Sequence, residues 1–304
     1  MLTWYSTSFT IVKSNYIKHI ELIMFERRLI MKQWQKKISS LLVLVVVIVG
    51  FAGCAKSEET NQVIKIGVCA GPYGDMLREA IIPSLESKGY AVEIIEFSDY
   101  VQPNLALANG EIDANLFQHT VYLNKFSADN ALEISALIEV PTASMGIFSD
   151  EVSDLSDLPE GAVIAVPNDA SNLSRALRAL QQAGLITIDP SVDPASATEN
   201  DLSENPKSLS FVLIEAPQLP RTLESVDAAV ITGNYAISAG LNLADAIFNE
   251  VLSEGYNNVV AVATENEKTQ LATDLIAVVA SDDFRQVIDN PDGQFYAFQR
   301  PANY

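Results

Sequence analysis

The segment VIKIGVCAGPYGDMLREAIIPSLESKGYAVEIIEF, residues 63–97, contains two short apolar runs separated by a longer stretch. Residues 63–70 and 91–97 are rich in Val and Ile, which is typical of strands, whereas residues 73–88 follow a helical pattern. Parallel strands need a crossover connection of about a dozen residues or more, and a helix of this length provides one. The segment therefore predicts a βαβ unit in a sheet that helices cover on both faces.

The same alternation continues through the rest of the chain. A helix is predicted at 101–109, and a second α/β unit follows residue 161. Its strands are predicted at 162–166, 209–215 and 228–232, and its helices at 171–183 and 218–224. Chains of 304 residues usually form two domains, because one core rarely grows beyond about 250 to 300 residues. We expect an α/β protein with two lobes and largely parallel sheets.

Two long extended apolar runs, 134–149 and 257–264, separate the two units, and we interpret them as crossing strands. The chain would leave the first lobe near 141–145 and return near 258–262. Lobe 1 would then comprise residues 63–142 and 259–304, and lobe 2 residues 143–258. Ligands of such sheets bind at the carboxyl ends of the strands, which here face the cleft between the lobes.

The N-terminal part of the chain has the composition of an export signal. Residues 38–53 (ISSLLVLVVVIVGFAG) carry no charge and follow Lys32, Lys36 and Lys37. This apolar run is shorter than the about 20 residues of a membrane span. Its end, Phe51 to Cys54, resembles the bacterial lipobox, although leucine is usual where Phe51 stands.

We therefore expect residues 1–53 to be an upstream segment plus a lipoprotein signal peptide, and residues 54–62 to be a polar tether. Cys54 would carry the lipid and anchor an extracytoplasmic protein to the cell membrane. The alternative is a permanent N-terminal anchor helix. Met31 is a second plausible start codon, so residues 1–30 are either an over-extended reading frame or a long leader.

Without residues 1–53 the chain keeps 12 Lys and Arg against 37 Asp and Glu, a net charge near −25. Such a field repels phosphate backbones, so the charge excludes nucleic acid as a partner of the folded part. The same part has a single histidine, His119, and lacks the common metal, triad and P-loop motifs. We expect no enzyme activity, no metal and no cofactor. Cys69 is expected to be a buried, inert thiol.

The motif GEIDANLFQHTVYL, residues 110–123, brings aromatic and polar side chains together. In an extended segment Phe117 and His119 share one face, because side chains alternate with period two. With Tyr122 they would form an aromatic wall with a polar tip. The alternative is that Phe117 and Tyr122 belong to the core and His119 is a structural histidine.

The motif AVPNDASNLSRAL, residues 165–177, is a strand that turns into a helix. Asn168, Asp169 or Ser171 can cap this helix. Its first N–H groups and the fork of Arg175 would together bind a carboxylate. The alternative is a capped surface helix whose Arg175 pairs with an acid.

The third pair of motifs is EAPQLPR, residues 215–221, and DAAVITGNYA, residues 227–236, where a buried strand ends in polar groups. Residues at strand ends of this kind are expected to line the cleft. The alternative is structural, with Gly233 in a turn and Asn234 as a helix cap.

Together with FSDYVQPN, residues 97–104, these motifs resemble the methionine-binding lipoproteins of the NlpA type over about residues 64–297. The resemblance implies a periplasmic-binding-protein type II fold, with two mixed α/β lobes joined by two crossing strands. It also implies the substrate-binding component of an ABC importer, with a permease and ATPase complex as partner. The ligand would be L- or D-methionine or a similar amino acid.

Carried over motif by motif, the resemblance implies a lining of Tyr100, Phe117, His119 and Tyr122. Arg175 would bind the ligand carboxylate, with Asn172 beside it. Two further residues would bind the polar end of the amino acid, Asn258 and Thr232.

Three positions depart from the family pattern, namely Tyr73, Val121 and Thr232, which stand for histidine, proline and asparagine. A threonine hydroxyl has a shorter reach than a carboxamide, so the loss of one hydrogen bond is expected, about 0.5–1.5 kcal/mol. The alternatives are a binding protein for another apolar amino acid or a short peptide, a surface lipoprotein without a transport role, and an enzyme on the same fold.

Overall fold

The computed structural model describes Met31, residues 62–193, residues 195–302 and Tyr304. The predicted signal peptide, Cys54 and almost all of the tether lie outside these residues, so the lipid anchor stays a prediction. Within the described part, no helix is both long and apolar enough to cross a bilayer. Residues 61–304 form one compact unit, to which everything below refers.

The described residues contain twelve strands and eight α-helices. The strands are β1 (Gln62–Cys69), β2 (Tyr90–Phe97), β3 (Ala114–His119), β4 (Ile134–Val140), β5 (Gly146–Phe148), β6 (Val163–Pro167), β7 (Thr187–Ile188), β8 (Leu202–Glu204), β9 (Ser210–Ile214), β10 (Ala228–Ile231), β11 (Phe248–Asn249) and β12 (Asn258–Ala263). The helices are α1 (Pro72–Met76), α2 (Ile82–Ser87), α3 (Gln102–Ala108), α4 (Thr120–Asn130), α5 (Ala170–Gln182), α6 (Gly233–Ser238), α7 (Gln270–Val279) and α8 (Asp282–Ile288).

Two five-stranded sheets organise these elements, with the strand orders β2-β1-β3-β12-β4 and β11-β5-β10-β6-β9. In the first sheet β1 runs parallel to β2 and β3, whereas β12 runs antiparallel to β3 and β4. In the second sheet β6 runs parallel to β9 and β10, whereas β5 runs antiparallel to β10 and β11. A small hairpin, β7-β8, completes the strands of the described part.

The expectation of largely parallel sheets is wrong, because each sheet has as many antiparallel as parallel pairings. The βαβ segments do form the parallel pairs. The antiparallel pairs involve β5 and β12, which the chain reaches by extended segments rather than by crossover helices, so nothing forces them to run parallel. The fold is therefore the two-lobed, mixed α/β architecture that the sequence predicts.

Two connections cross between the sheets. The first runs from β4 to β5 through residues 141–145, as predicted, and the second runs from β11 to β12 through residues 250–257. The second crossing was expected further along, near 258–262, but β12 already pairs with β3 and β4 from Asn258 onward.

A residue near the C-terminus ties both crossings together. The backbone of Gln299 exchanges two 2.9 Å hydrogen bonds with Thr142 of the first crossing. Its side chain donates to the Glu250 carbonyl at 2.6 Å and accepts from the Leu252 N–H at 2.8 Å in the second crossing. The C-terminal segment is therefore hydrogen-bonded to both crossings.

Each sheet has its own core. In the first, residues from β1 and β3 cluster with residues from the C-terminal helices, such as the fully buried Leu275 and Phe284. Burial of one such side chain stabilises the fold by about 1.5–3 kcal/mol, so residues 270–288 belong to the first core rather than to an appendage. In the second core Val166 and Val230 cluster with Leu177 of α5.

Prolines account for two local differences from the predicted helices. The helix expected at 73–88 is α1 and α2 joined by a π-helical turn, Leu77–Ile81, which ends two residues before Pro83. The α-helix expected at 218–224 is instead a 3-10 helix, Ala216–Ser225. Pro220 lies inside it and cannot donate the backbone hydrogen bond that an α-helix needs at that position.

Candidate functional site

Strand β3 places Phe117 and His119 at its carboxyl end, where both are almost fully buried. Asn258 of β12 pairs with His119 in the sheet register. The Asn258 amide donates from Nδ2 to the Phe117 carbonyl at 3.0 Å, and its backbone N–H donates to Thr142 Oγ1 at 2.7 Å. The amide oxygen of Asn258, Oδ1, is an acceptor.

His119 also begins helix α4. Its Nδ1 accepts the backbone N–H of Tyr122 at 3.0 Å, which assigns the ring proton to Nε2. Nε2 lies 3.3 Å from Asn172 Oδ1 and donates to it. Burial, and then the nearby charge of Arg175, lower the pKa of His119 to about 3. The imidazole is therefore neutral at physiological pH.

Asp169 caps helix α5 and orients Asn172. The Asp169 carboxylate accepts from the backbone N–H of Asn172 at 3.0 Å, from its Nδ2 at 3.1 Å and from Ser171 Oγ at 3.1 Å. Of the three predicted caps, the structure therefore selects Asp169. Because a carboxylate already occupies the start of this helix, the predicted recognition of a ligand carboxylate falls to Arg175 rather than to the helix N-terminus.

Arg175 is buried in an ion pair with Glu250 of the second crossing. Its Nε lies 2.9 Å from Oε1 and 3.1 Å from Oε2, and its Nη2 also donates to Oε1. Burial acts to lower the pKa of Arg175, but the charge and hydrogen bonds of Glu250 raise it above its usual value. The helix is largely buried, unlike the surface helix of the alternative interpretation, although the pairing of Arg175 with an acid is observed.

Tyr100, Thr232 and Asn234 form a polar group at another wall of the site. The Tyr100 hydroxyl donates to Asn234 Oδ1 at 2.6 Å and lies 3.0 Å from Thr232 Oγ1. Asn234 Nδ2 donates to the Ala70 carbonyl at 3.1 Å, so the group joins the two sheets. Burial raises the pKa of Tyr100 well above its usual value, and the hydroxyl keeps its proton.

Gly233 allows α6 to approach the first crossing. A Cβ atom at this position would lie 2.5 Å from the Ser144 carbonyl oxygen and 2.7 Å from the Ala143 Cβ, closer than side chains tolerate. The glycine therefore serves a close backbone approach rather than the turn that the structural interpretation of this motif predicted.

These groups surround a cavity between the two sheets, with about 340 Å³ of empty space including its mouth. All eight predicted ligand-binding residues line it, namely Tyr100, Phe117, His119, Tyr122, Asn172, Arg175, Thr232 and Asn258. Their contact with a ligand stays a prediction. Six lining residues were not among them, namely Tyr73, Gln118, Thr142, Ala143, Gly233 and Asn234.

The charge in this cavity is concentrated at one group. Among the described residues that line it, Arg175 alone carries a full charge, since His119 is neutral and the others are aromatic, amide, hydroxyl or small residues. Stacked and edge-on rings form the apolar wall, with 5.8 Å between the ring centres of Tyr100 and Phe117. The arrangement suits one carboxylate attached to an apolar body.

Comparison with known proteins agrees with this geometry. The family model described as NlpA lipoprotein matches residues 64–297. The chain belongs to the NlpA lipoprotein family. Among curated members, the probable D-methionine-binding lipoprotein MetQ of Vibrio cholerae is 37% identical over 243 residues, which cover 77% of this chain and 90% of the relative. The D-methionine-binding lipoprotein MetQ of Escherichia coli (strain K12) is 36% identical over 76% of this chain and 86% of its own.

A solved structure of similar fold is a nutrient binding protein from Burkholderia cenocepacia bound to methionine. It is 38% identical, has a TM-score of 0.73, and the match covers 78% of this chain and 99% of that one. The NlpA-type resemblance and the type II binding-protein fold predicted from the motifs are therefore confirmed.

In this NlpA-family chain, replacing Asp169 with alanine is expected to lower the free energy of unfolding by about 1–2 kcal/mol, because it removes the cap of α5. Asn172 also loses the acceptor that orients it, so ligand affinity should fall as well. Chemical denaturation and calorimetry measure the two effects. Ser281→Ala is the matched control, because Ser281 caps α8 by accepting the Phe284 N–H at 3.2 Å, away from the cavity. Equal affinity losses in both variants would contradict a role of Asp169 in the site.

Proposed function

We propose that this chain is the lipid-anchored, substrate-binding component of an ABC amino-acid importer and binds methionine between two lobes. The observation that carries the proposal is the single guanidinium in an otherwise uncharged, aromatic cavity. A cavity of this kind selects a ligand with one carboxylate and an apolar side chain. It captures the ligand without chemical change.

In the proposed complex the carboxylate binds the Nη1–Nη2 edge of Arg175, because Glu250 occupies the Nε–Nη2 edge. The ammonium group binds the Asn258 Oδ1 acceptor. The side chain lies against Tyr100, Phe117 and Tyr122, with the neutral His119 at the boundary.

Methionine is the proposed ligand because its thioether suits an aromatic wall, at about 0.3–1.5 kcal/mol per sulfur–aromatic contact. The names of the curated relatives and the methionine-bound Burkholderia protein support the same choice. Thr232 already bonds with the Tyr100 hydroxyl, so it contributes less to the ligand than an asparagine would. Another apolar amino acid is therefore the second candidate.

The proposed complex keeps lobe 1 at residues 63–142 and 259–304 and lobe 2 at residues 143–258, except that Asn258 belongs to lobe 1 because it begins β12. Closure around the ligand joins His119 to Asn172 and Tyr100 to Thr232 across the cleft. The closed form would then be presented to a permease and ATPase complex at the membrane to which lipidated Cys54 anchors the chain. Membership in a lipoprotein family supports this anchor.

Isothermal titration calorimetry of the purified full-length protein tests the proposed function. The panel comprises L- and D-methionine, leucine, phenylalanine, lysine and glutamate. We expect binding of methionine and weak or no binding of lysine and glutamate, because a second charge finds no partner in the cavity. Absence of both heat and a thermal shift with either methionine enantiomer would refute methionine binding, and binding of leucine or phenylalanine alone would identify the second candidate.

A further inference from the structure

Glu250 is a buried acid to which the proposed complex gives no direct contact with the ligand. Glu250 is 5% exposed, as is Arg175. It lies on the second crossing, whereas Met145 lies where the first crossing enters β5. The Met145 N–H donates to Glu250 Oε1 at 2.6 Å, and the Glu250 N–H donates to the Met145 carbonyl at 3.0 Å. The carboxylate is thus fixed by both crossings.

This fixed carboxylate binds one edge of the guanidinium. Arg175 Nε reaches both carboxylate oxygens and Nη2 reaches Oε1. The planar fork of an arginine binds a carboxylate along one edge, so a ligand carboxylate meets the remaining edge, formed by Nη1 and the second N–H of Nη2. Glu250 therefore determines both the orientation of Arg175 and how much of it a ligand can contact.

The pair also determines the charge that a ligand experiences. A buried guanidinium without a counterion would attract any carboxylate, whether or not the molecule carries an ammonium group. With Glu250 in place the pair is neutral, and a second carboxylate brought beside it is repelled by the first. A ligand that carries its own ammonium group compensates for this repulsion.

We propose that Glu250 sets the charge selectivity of the cleft, so that the site prefers a zwitterionic amino acid over a carboxylate that lacks the ammonium group. This inference rests on the proposed function, because it concerns the same cavity and the same ligand class. Specificity here comes from a repulsive element as well as from attractive contacts. Glu250 acts through Arg175 and is a positioning residue.

The test compares two ligands, L-methionine and its des-amino analogue, by calorimetry on the full-length protein. If a variant no longer orients Arg175, the affinity for both ligands falls alike, since both carry the carboxylate. The ratio of their dissociation constants therefore isolates the charge of Glu250. In Glu250→Gln we expect the preference for methionine over the analogue to fall by about tenfold or more, because the nearby negative charge is gone.

Two further variants complete the test. Glu250→Asp keeps the charge and should keep the preference even where both affinities fall. Glu254→Gln removes an exposed charge four residues further along the same crossing and should leave the ratio unchanged. A ratio unchanged in Glu250→Gln, or lost equally in Glu254→Gln, would overturn the inference while methionine binding stands.

The wild-type protein provides a result that is independent of variant folding. If it binds the des-amino analogue as tightly as methionine, the inference is overturned and the proposed function is not. If it binds neither, both are overturned. A clear preference for methionine in the wild type, reduced in Glu250→Gln, supports the inference.

Discussion

Replacing Arg175 with alanine is expected to weaken methionine binding by about 30-fold to several thousandfold. The guanidinium is the charged group that lines the described cavity, and truncation of one partner in a desolvated charge pair costs about 2–5 kcal/mol. Calorimetry at neutral pH measures the loss directly. A variant that binds methionine with wild-type affinity would contradict the proposed role of Arg175.

The matched control for this variant is Arg178→Ala. Arg178 lies on the same helix, and its guanidinium contacts the same Tyr256 ring, at 4.9 Å from the ring centre against 5.7 Å for Arg175. It does not line the cavity. We expect Arg178→Ala to bind methionine with an affinity within a few fold of that of the wild type. Comparison of the two variants therefore separates recognition of the carboxylate from packing on Tyr256.

Stability needs its own control, because Arg175→Ala leaves the Glu250 carboxylate buried without its partner. Breaking a buried pair from one side destabilises proteins by about 3–5 kcal/mol. Combining Arg175→Ala with Glu250→Ala removes both charges and should recover much of that loss in chemical denaturation. The double variant should bind methionine as weakly as Arg175→Ala does, which attributes the binding defect to the missing guanidinium rather than to unfolding.

The sequence predicted the α/β alternation well because its signals are local. Apolar runs such as 63–70 differ from helical stretches such as 73–88 in the period of their side chains, and β1 lies within one residue of the expected strand. Strand pairing depends on contacts between distant segments. The antiparallel direction of β5 and β12 therefore has no counterpart in any short motif, and the prediction of largely parallel sheets failed there.

The lining of the cavity was predicted largely through resemblance, since spacing alone left structural alternatives open for His119 and Arg175. The structure shows that both interpretations hold in part. His119 is a helix cap and also lines the cavity, and Arg175 pairs with an acid and also lines the cavity. A single buried side chain can take part in packing and line the cavity at the same time. Sequence patterns present these two roles as alternatives.

Glu250 could not be found from the sequence. It lies 75 residues from Arg175 and is one of 37 acids in the chain after Gly53, with no motif around it. Its importance comes from burial and from hydrogen bonds to a crossing segment, both of which depend on the tertiary fold. Thr142 and Ala143 were missed for the same reason, since a crossing segment meets the cavity irrespective of its side-chain pattern.

Methionine affinity is expected to fall about 30-fold between pH 8 and pH 5. In the structure, which is the closed form of the proposed function, burial and Arg175 lower the pKa of His119 to about 3, whereas a hydrated histidine in the proposed open form titrates near 6.5. The open form therefore binds a proton that the closed form must release. Affinity is fully present above about pH 6.5 and is lost by about tenfold per pH unit below it.

The groups around His119 determine how this pH dependence is tested. Arg175 opposes its protonation, the Tyr256 ring packs 4.9 Å away, and Asn172 connects it to Asp169, whose pKa is raised by burial. Restricting the measurements to the range from pH 8 to pH 5 limits the contribution of Asp169 titration to the measured change in affinity. His119→Asn keeps a side-chain acceptor for the Tyr122 N–H but cannot titrate, so its affinity should stay nearly constant over that range. Parallel profiles for the wild type and the variant would show that another group controls the loss, because closure would then not depend on a neutral imidazole.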